Sequence, residues 1–277
     1  MKRRILTGFA VILLAITMVM GCSGGGGGGS STTQDKDEGK LDKGVDLSVP
    51  DISKAGNFSL AKNYSSVTTE AEAKLITGGI FEEGALTGLF SLTQSSNILY
   101  NRNSASRKIQ SESIRQNFTE KDLADDYSDE ELKHLKINGY VDATYKYDDA
   151  KDDYFSLNGV VAANIKIEEG FNTDDDYETI GVIAGKIEAK KIEMRGETIS
   201  GSIIYNINGA INIAYKGSDA SKSSVKNKYV KCTFKADYKL DLNSEAITIT
   251  IDITAYGAGS EKWTYKETID EKLSDYM

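Results

Sequence analysis

The sequence predicts a mainly β fold: a curved antiparallel sheet or barrel-like meander of long amphipathic strands, preceded by an N-terminal helical segment. Three observations predict this fold. Apolar and polar residues alternate with a period of two in long runs that begin at Ile137. The single proline, Pro50, lies before these runs, so no proline interrupts their hydrogen-bond ladders. Glycines recur inside the runs, which is typical of bulges and of strongly coiled sheets.

Several runs predict individual strands, because the apolar residues within each run share one parity and therefore one face. The runs are 137–147, 155–167, 199–215, 230–242 and 247–253. One apolar and one polar face per strand is typical of antiparallel sheets that bury a single side. We expect about seven to nine strands in the complete sheet, a number common in curved sheets and small barrels.

Asn-Gly pairs occur inside three of the runs. They are Asn138-Gly139, Asn158-Gly159 and Asn208-Gly209. Asn-Gly is typical of a two-residue hairpin turn. A turn at 208–209, however, would place Ile207 and Ala210 on one face and mismatch the isoleucines on either side. We therefore predict either an odd-length loop or a continuous strand with Gly209 in line. In a continuous strand, Gly139, Gly159, Gly201 and Gly209 would mark bulges or coiling of the sheet.

Two segments before the alternating region predict helices. Residues 69–92 begin with Thr69 and Glu72 in the spacing of a capping box, although internal glycines weaken the helix. Residues 117–136 contain two further cap-like starts and predict a short acidic helix that ends near Lys136. The polar stretch 95–116 predicts irregular structure. We expect the helical part to plug or cover one face of the sheet.

The N-terminus has a basic start at Lys2, Arg3 and Arg4, an apolar run over 5–20, and then Gly21 and Cys22. The apolar run is shorter than the roughly 20 residues that span a bilayer as a helix. The arrangement resembles the signal peptide of bacterial lipoproteins. The resemblance implies that residues 1–21 are removed and that Cys22 is lipidated, with a diacylglyceryl thioether and usually an N-acyl chain such as palmitate. Ser23 after the cysteine implies the outer membrane, with the periplasmic or surface side left open.

Residues 22–59 predict a flexible tether between the lipidated cysteine and a folded domain at 60–277. The domain divides into a helical or irregular part, 60–136, and an antiparallel β part, 137–277. The glycines at 24–29 match a phosphate-binding GxGxxG motif only trivially, since no strand precedes them and no helix follows.

The charge of the chain argues against nucleic acid as a partner. Its 33 Lys and Arg residues face 42 Asp and Glu residues, and loss of the three basic residues at the N-terminus changes the net charge from −9 to −12. With Cys22 acylated, Cys232 has no other cysteine to pair with. The apolar parity of Cys232 predicts a buried structural thiol.

Motifs for catalysis or metal binding are weak, and we predict no catalytic residue, cofactor or metal. His134 is the single histidine and predicts a surface or helix-end position. Acidic clusters at 148–153 and 172–178 raise calcium binding as an alternative. In the second cluster, however, Tyr177 and Ile183 occupy the places where an EF-hand requires glycine and glutamate. A hydrolase is the least favoured class, because no motif singles out a pair of acidic residues.

The sequence favours a membrane-anchored lipoprotein of the cell envelope with a non-enzymatic structural or protein-interaction role. The alternative is a carrier that holds an apolar ligand inside the curved sheet, in a cavity that Ile203, Ile211, Phe234 and Ile249 would line. Tyr229 and Tyr256 fall on the polar parity of their strands and are candidates for an exposed carbohydrate platform. The expected partners are the membrane, through Cys22, and an envelope protein or apolar ligand.

Overall fold

The computed structural model describes residues 44–52, 60, 63–82, 110–123, 129–148, 154–169, 176–195 and 198–272. Within these ranges, nine strands form one sheet that does not close on itself. The predicted fold class is confirmed: the strands from the second to the ninth follow one another as an antiparallel meander.

The strands are β1 (Ser65–Ser66), β2 (Gln110–Phe118), β3 (Leu135–Asp148), β4 (Tyr154–Ile167), β5 (Tyr177–Arg195), β6 (Thr198–Tyr215), β7 (Lys228–Asp241), β8 (Ala246–Tyr256) and β9 (Lys262–Lys272). The helices are α1 (Glu70–Glu82) and α2 (Asp129–Leu132), with 3₁₀ turns η1 (Glu120–Leu123) and η2 (Ala220–Val225). The two-residue β1 pairs with the start of β7 in parallel, and Ser65 lies opposite Lys228.

One face of the sheet, which we call the core face, carries the main hydrophobic core. The register places Ile137, Ile165 and Ile183 side by side on β3, β4 and β5. On β6 and β7, Ile211 lies opposite Cys232, and both are fully buried. The strand alternation therefore assembles one continuous apolar layer, as the sequence predicts. We call the opposite side the outer face.

The Asn-Gly pairs lie within strands β3, β4 and β6, so the continuous strand is the alternative that the structure adopts. Gly139 lies opposite Phe118 and Gly209 opposite Phe234, and each aromatic ring occupies the space that a Cβ on the glycine would need. Gly159 lies at a register shift in the β4–β5 pairing. Gly201, with φ of +110°, faces the bulge of β5 between Lys190 and Glu193. The glycines thus mark bulges and aromatic contacts.

Helix α1 begins where its capping pattern predicts. The backbone N–H of Glu72 donates to Oγ1 of Thr69 over 3.2 Å, and the Glu72 carboxylate accepts from the backbone N–H of Thr68 over 2.9 Å. Ala73 and Ile76 are fully buried in the main core, so the helix covers the core face near β6, β7 and η2. Residues 83–92 of the predicted helix lie outside the described residues.

The predicted acidic helix over 117–136 is wrong as a single element. Strand β2 continues to Phe118, the helical turns η1 and α2 follow, and β3 already begins at Leu135. Burial explains why strands replace the ends of the predicted helix. The ring of Phe118 packs over Gly139, and Leu135 is fully buried in the core. Part of the stretch predicted as irregular, from Gln110 onward, also belongs to β2.

The outer face is not uniformly polar. In the middle of the sheet Ala162, Ala184 and Ala210, on β4, β5 and β6, are buried there although they lie outside the main core. The side-chain N–H of Asn164 donates over 2.7 Å to the carbonyl of Asp46, which brings the segment 44–52 against this face. Val45 and Ile52 of that segment are themselves buried. The segment lies within the predicted tether, whose boundaries stay a prediction.

Candidate interaction surface

The structure describes some of the residues that the sequence analysis considered and not others. Cys22 and the predicted signal peptide lie outside the described residues, whereas Cys232 and His134 lie within them. Cys232 is fully buried on β7, where burial raises the pKa of its thiol to about 12, as expected for a structural cysteine. His134 lies in the turn between α2 and β3 and is partly exposed, and its backbone carbonyl accepts a hydrogen bond from Glu168.

The acidic clusters are described only in part. Asp148 of the first cluster and Asp176 and Glu178 of the second have described positions. Glu178 is buried on the outer face and accepts a hydrogen bond from the hydroxyl of Tyr64 over 2.8 Å. Burial, first, and this bond, second, raise the pKa of Tyr64 to about 12. Within the part of the chain that the structure describes, no three His, Cys, Asp or Glu side chains are arranged to hold a metal ion.

The carrier alternative concerns the core face. Ile203, Ile211, Phe234 and Ile249, the side chains that would line a ligand cavity, are all buried and belong to the same core cluster. Their burial places them on the predicted face. The carrier role itself stays a prediction.

A polar cluster closes the end of the core face beside η2. The Lys222 ammonium donates to the Tyr177 hydroxyl over 2.7 Å and lies 5.2 Å from the centre of that ring and 5.5 Å from the ring of Tyr215. The Tyr215 hydroxyl accepts from the backbone N–H of Asp219. These contacts hold η2 against the two buried rings, which is a structural role.

An exposed polar surface lies on the outer face of β7, β8 and β9, which we call the ladder face. The register arranges its side chains in rows across the three strands. The rows are Lys231–Tyr256–Lys262, Thr233–Thr254–Thr264, Lys235–Asp252–Lys266, Asp237–Thr250–Thr268, Lys239–Thr248–Asp270 and Asp241–Ala246–Lys272. The sequence predicts β7 and β8 but not β9. Without β9, the third residue of each row and the lysines on that strand are not identified.

The ladder face is basic on an acidic protein. It carries six lysines and four aspartates, a net charge of +2, whereas the whole chain has a net charge of −9. The side chains of Lys235, Lys239 and Lys266 are 57% to 61% exposed, although each lies within 4 Å of an aspartate. Such exposed ion pairs contribute about 0–1 kcal/mol each to stability, so these lysines remain available to a partner.

The lysines form two lines that flank β8. Lys231 and Lys235 lie on β7, and Lys262 and Lys266 lie in the same rows on β9. Two strand spacings separate the lines, which is about 10 Å. Between them, β8 presents threonine hydroxyls, the carboxylate of Asp252 and, at one end, the ring of Tyr256.

The two tyrosines that parity singled out lie together at this end. Tyr256 occupies the row between Lys231 and Lys262, and the Lys262 ammonium lies 6.0 Å from the centre of its ring. Tyr229 lies two residues before Lys231 on β7, opposite Ser66 of β1. Both tyrosines are partly exposed on the outer face, as predicted.

Comparison with known proteins gives no match: no family model, no curated protein and no solved structure matches this chain. The described helices also include none that is long and apolar enough to cross a bilayer. The function is therefore inferred from the geometry of the sheet.

Proposed function

We propose that this protein is a lipid-anchored lipoprotein of the bacterial cell envelope, and that its sheet is a non-enzymatic scaffold that presents the ladder face to an envelope partner. The observation that carries the proposal is the basic, solvent-exposed ladder face on a chain of net negative charge. A surface of opposite sign to the rest of the molecule orients an approaching anionic partner.

The energetics of the sheet support a binding role for this face. The core face of the same strands holds them together, since Cys232, Phe234 and Ile253 are buried there. The lysines and aspartates on the outer side add little stability, because exposed ion pairs are screened by solvent. Their regular rows are therefore better explained by recognition than by the stability of the fold.

The anchor is proposed from Cys22. The first described residue, Gly44, belongs to a segment that lies against the outer face through Asp46 and Asn164. The flexible tether predicted from the composition would give the roughly 20 residues between Cys22 and Gly44 a root-mean-square length of about 25 Å. The ladder face would thus work close to the membrane surface.

The anchor is tested by feeding cells an alkyne-labelled palmitate and isolating the full chain. We expect label on the wild-type protein and none on the Cys22→Ala variant, which should also leave the membrane fraction. Equal labelling of the two proteins would contradict lipidation at Cys22.

The ladder face is tested in intact cells with a photo-crosslinking amino acid at Thr264, on the outer face of β9. The matched control carries the same group at Lys136, which is exposed on the outer face of β3. We expect a slower-migrating adduct from position 264 and none from position 136. Adducts of equal yield at both positions, or at neither, would contradict a specific role for this face.

A further inference from the structure

We infer that the ladder face binds a linear anionic polysaccharide that lies along β8 between the two lysine lines. The inference rests on the proposed function and names the class of partner. It is carried by the spacing of the charges, by the chemistry of the surface between them and by what this surface lacks.

The charges suit a chain-like ligand. Lys231 and Lys235 are four residues apart on β7, as are Lys262 and Lys266 on β9, so successive lysine pairs are about 13 Å apart along the strands. A linear polymer along β8 would have an ammonium on either side at each pair. Lys235 and Lys266 would exchange their contacts with Asp237 and Asp252 for carboxylates of the ligand, at little cost because both ion pairs are exposed.

The surface between the lysine lines suits sugars. Hydroxyls of Thr248, Thr250 and Thr254 lie on the outer side of β8, with Asp252 between the last two, and each hydroxyl can both donate and accept a hydrogen bond. Thr254 and Thr264 contact each other only at 3.4 Å between their oxygens, so neither hydroxyl is committed to a strong internal bond. The ring of Tyr256 offers an apolar face to the C–H groups of a sugar.

The same surface is poorly suited to a membrane. Stable binding to a lipid bilayer combines electrostatic attraction with apolar side chains that enter the bilayer. On the ladder face the rows contain lysine, threonine, aspartate, one alanine and one tyrosine. The charge would attract anionic headgroups, but no leucine, isoleucine or phenylalanine in these rows could insert.

Nucleic acid fits less well because of its charge density. Each strand of a DNA duplex carries one phosphate about every 3.4 Å along the helix axis. Asp252 lies between Lys235 and Lys266, and Asp237 follows Lys235 on β7. These carboxylates would oppose closely spaced phosphates, whereas a polysaccharide with an acid on alternate sugars can place its charges at the lysines.

The test measures binding of the full-length chain, purified in detergent, to biotinylated hyaluronate immobilised on a biosensor, with neutral dextran as the uncharged comparison. We expect binding to hyaluronate that weakens with added salt, and none to dextran. The double variant Lys231→Gln/Lys262→Gln should bind at least tenfold more weakly. The control Lys136→Gln/Lys166→Gln removes the same charge from the outer face of β3 and β4 and should bind within twofold of wild type.

A second variant separates stacking from charge. Tyr256→Leu keeps every lysine, and we expect about threefold weaker binding to hyaluronate with an unchanged salt dependence. Thermal unfolding of each variant confirms that it is folded before binding is measured.

Several outcomes would overturn the inference. These are absence of hyaluronate binding, equal losses in the two double variants, or equally tight binding to single-stranded DNA. If hyaluronate does not bind but position 264 still forms its specific adduct in cells, the proposed function stands and only the polysaccharide is excluded. If neither occurs, both proposals fail.

Discussion

The middle of the sheet and its C-terminal strands share one core face but differ on the other side. On β4, β5 and β6 the outer face carries buried alanines, and the segment 44–52 lies against it at Asn164. On β7, β8 and β9 the outer face is a solvent-exposed lattice of lysine, threonine and aspartate. One meander thus combines strands that are covered on both faces, β4 to β6, with strands that are covered on the core face alone, β7 to β9.

Introducing a charge into each region should give the largest contrast. Ala184 is fully buried on the outer face of β5, so Ala184→Lys should lower the free energy of unfolding by about 3–5 kcal/mol, the cost of an unpaired buried charge. Thr264→Lys, on the exposed outer face of β9, should change it by less than about 0.5 kcal/mol. Urea denaturation measures both. Similar small effects would mean that the two regions do not differ in this way.

The aromatic contact over Gly209 should have the next largest effect. Gly209→Ala places a methyl group against the ring of Phe234 and should cost about 1–3 kcal/mol by overpacking. The control is a double-mutant cycle measured by urea denaturation. In a Phe234→Ala background the same substitution should cost much less, and an unchanged cost would show that the ring is not the cause.

The covering segment can be loosened without altering the ladder face. Asn164→Ala removes the hydrogen bond to the Asp46 carbonyl and should cost about 0.5–1.5 kcal/mol. Faster amide hydrogen exchange within residues 44–52 should accompany it. Asn206→Ala, which removes a comparable bond to Asp237 beside the ladder face, should leave exchange in 44–52 unchanged. Acceleration by both variants would indicate general destabilisation.

The smallest effect concerns α1 and β7. Glu72 forms an ion pair with Lys228, and hydrogen bonds from Lys228, first, and from the backbone of Thr68 hold the pKa of Glu72 below its ordinary value. Because the pKa is lower in the folded state, this stabilisation is complete above the unfolded pKa of about 4.3 and is lost as pH falls through the folded pKa.

The corresponding measurement is the free energy of unfolding between about pH 5 and pH 3, where Glu72→Gln should remove part of the pH dependence. The expected difference is at most about 1 kcal/mol, as for other pairs that are partly exposed. Glu70→Gln is the control, since Glu70 pairs with Lys74 on the exposed side of the same helix. A steeper acid dependence in the Glu72 variant would contradict the assignment.

The alternation in the sequence was sufficient to predict β3, β4, β6, β7 and β8, because one buried face imposes a period of two. It was insufficient for β5, whose start is buried on both faces and whose parity changes at the bulge between Lys190 and Glu193. Parity correctly excluded a two-residue turn at Asn208-Gly209, because that turn would have separated isoleucines that must share a face. Parity did not decide between an odd-length loop and a continuous strand.

The candidate surface could not be predicted from the sequence. Lys231 and Lys262 are brought into one row by pairings of β7 with β8 and of β8 with β9, and their registers depend on turn geometry. Parity alone was sufficient to identify Tyr229 and Tyr256 as tyrosines on the outer face. It could not show that Tyr256 lies between Lys231 and Lys262. The cover over Ala184 likewise depends on a segment far away in the chain.

The parallel pairing of Ser65 with Lys228 has a consequence for the order of events during biogenesis. Lys231 and Tyr256 form the last pair between β7 and β8. Past this pair, Val67 bridges the two segments: its N–H donates to the carbonyl of Tyr229, and its carbonyl accepts from the N–H of Ala258. A contact across so much sequence closes late, since the intervening chain must first be synthesised and brought together. In the proposed lipoprotein, the part of the domain that is nearest Cys22 in sequence would therefore be exported early but form its contacts with the sheet last.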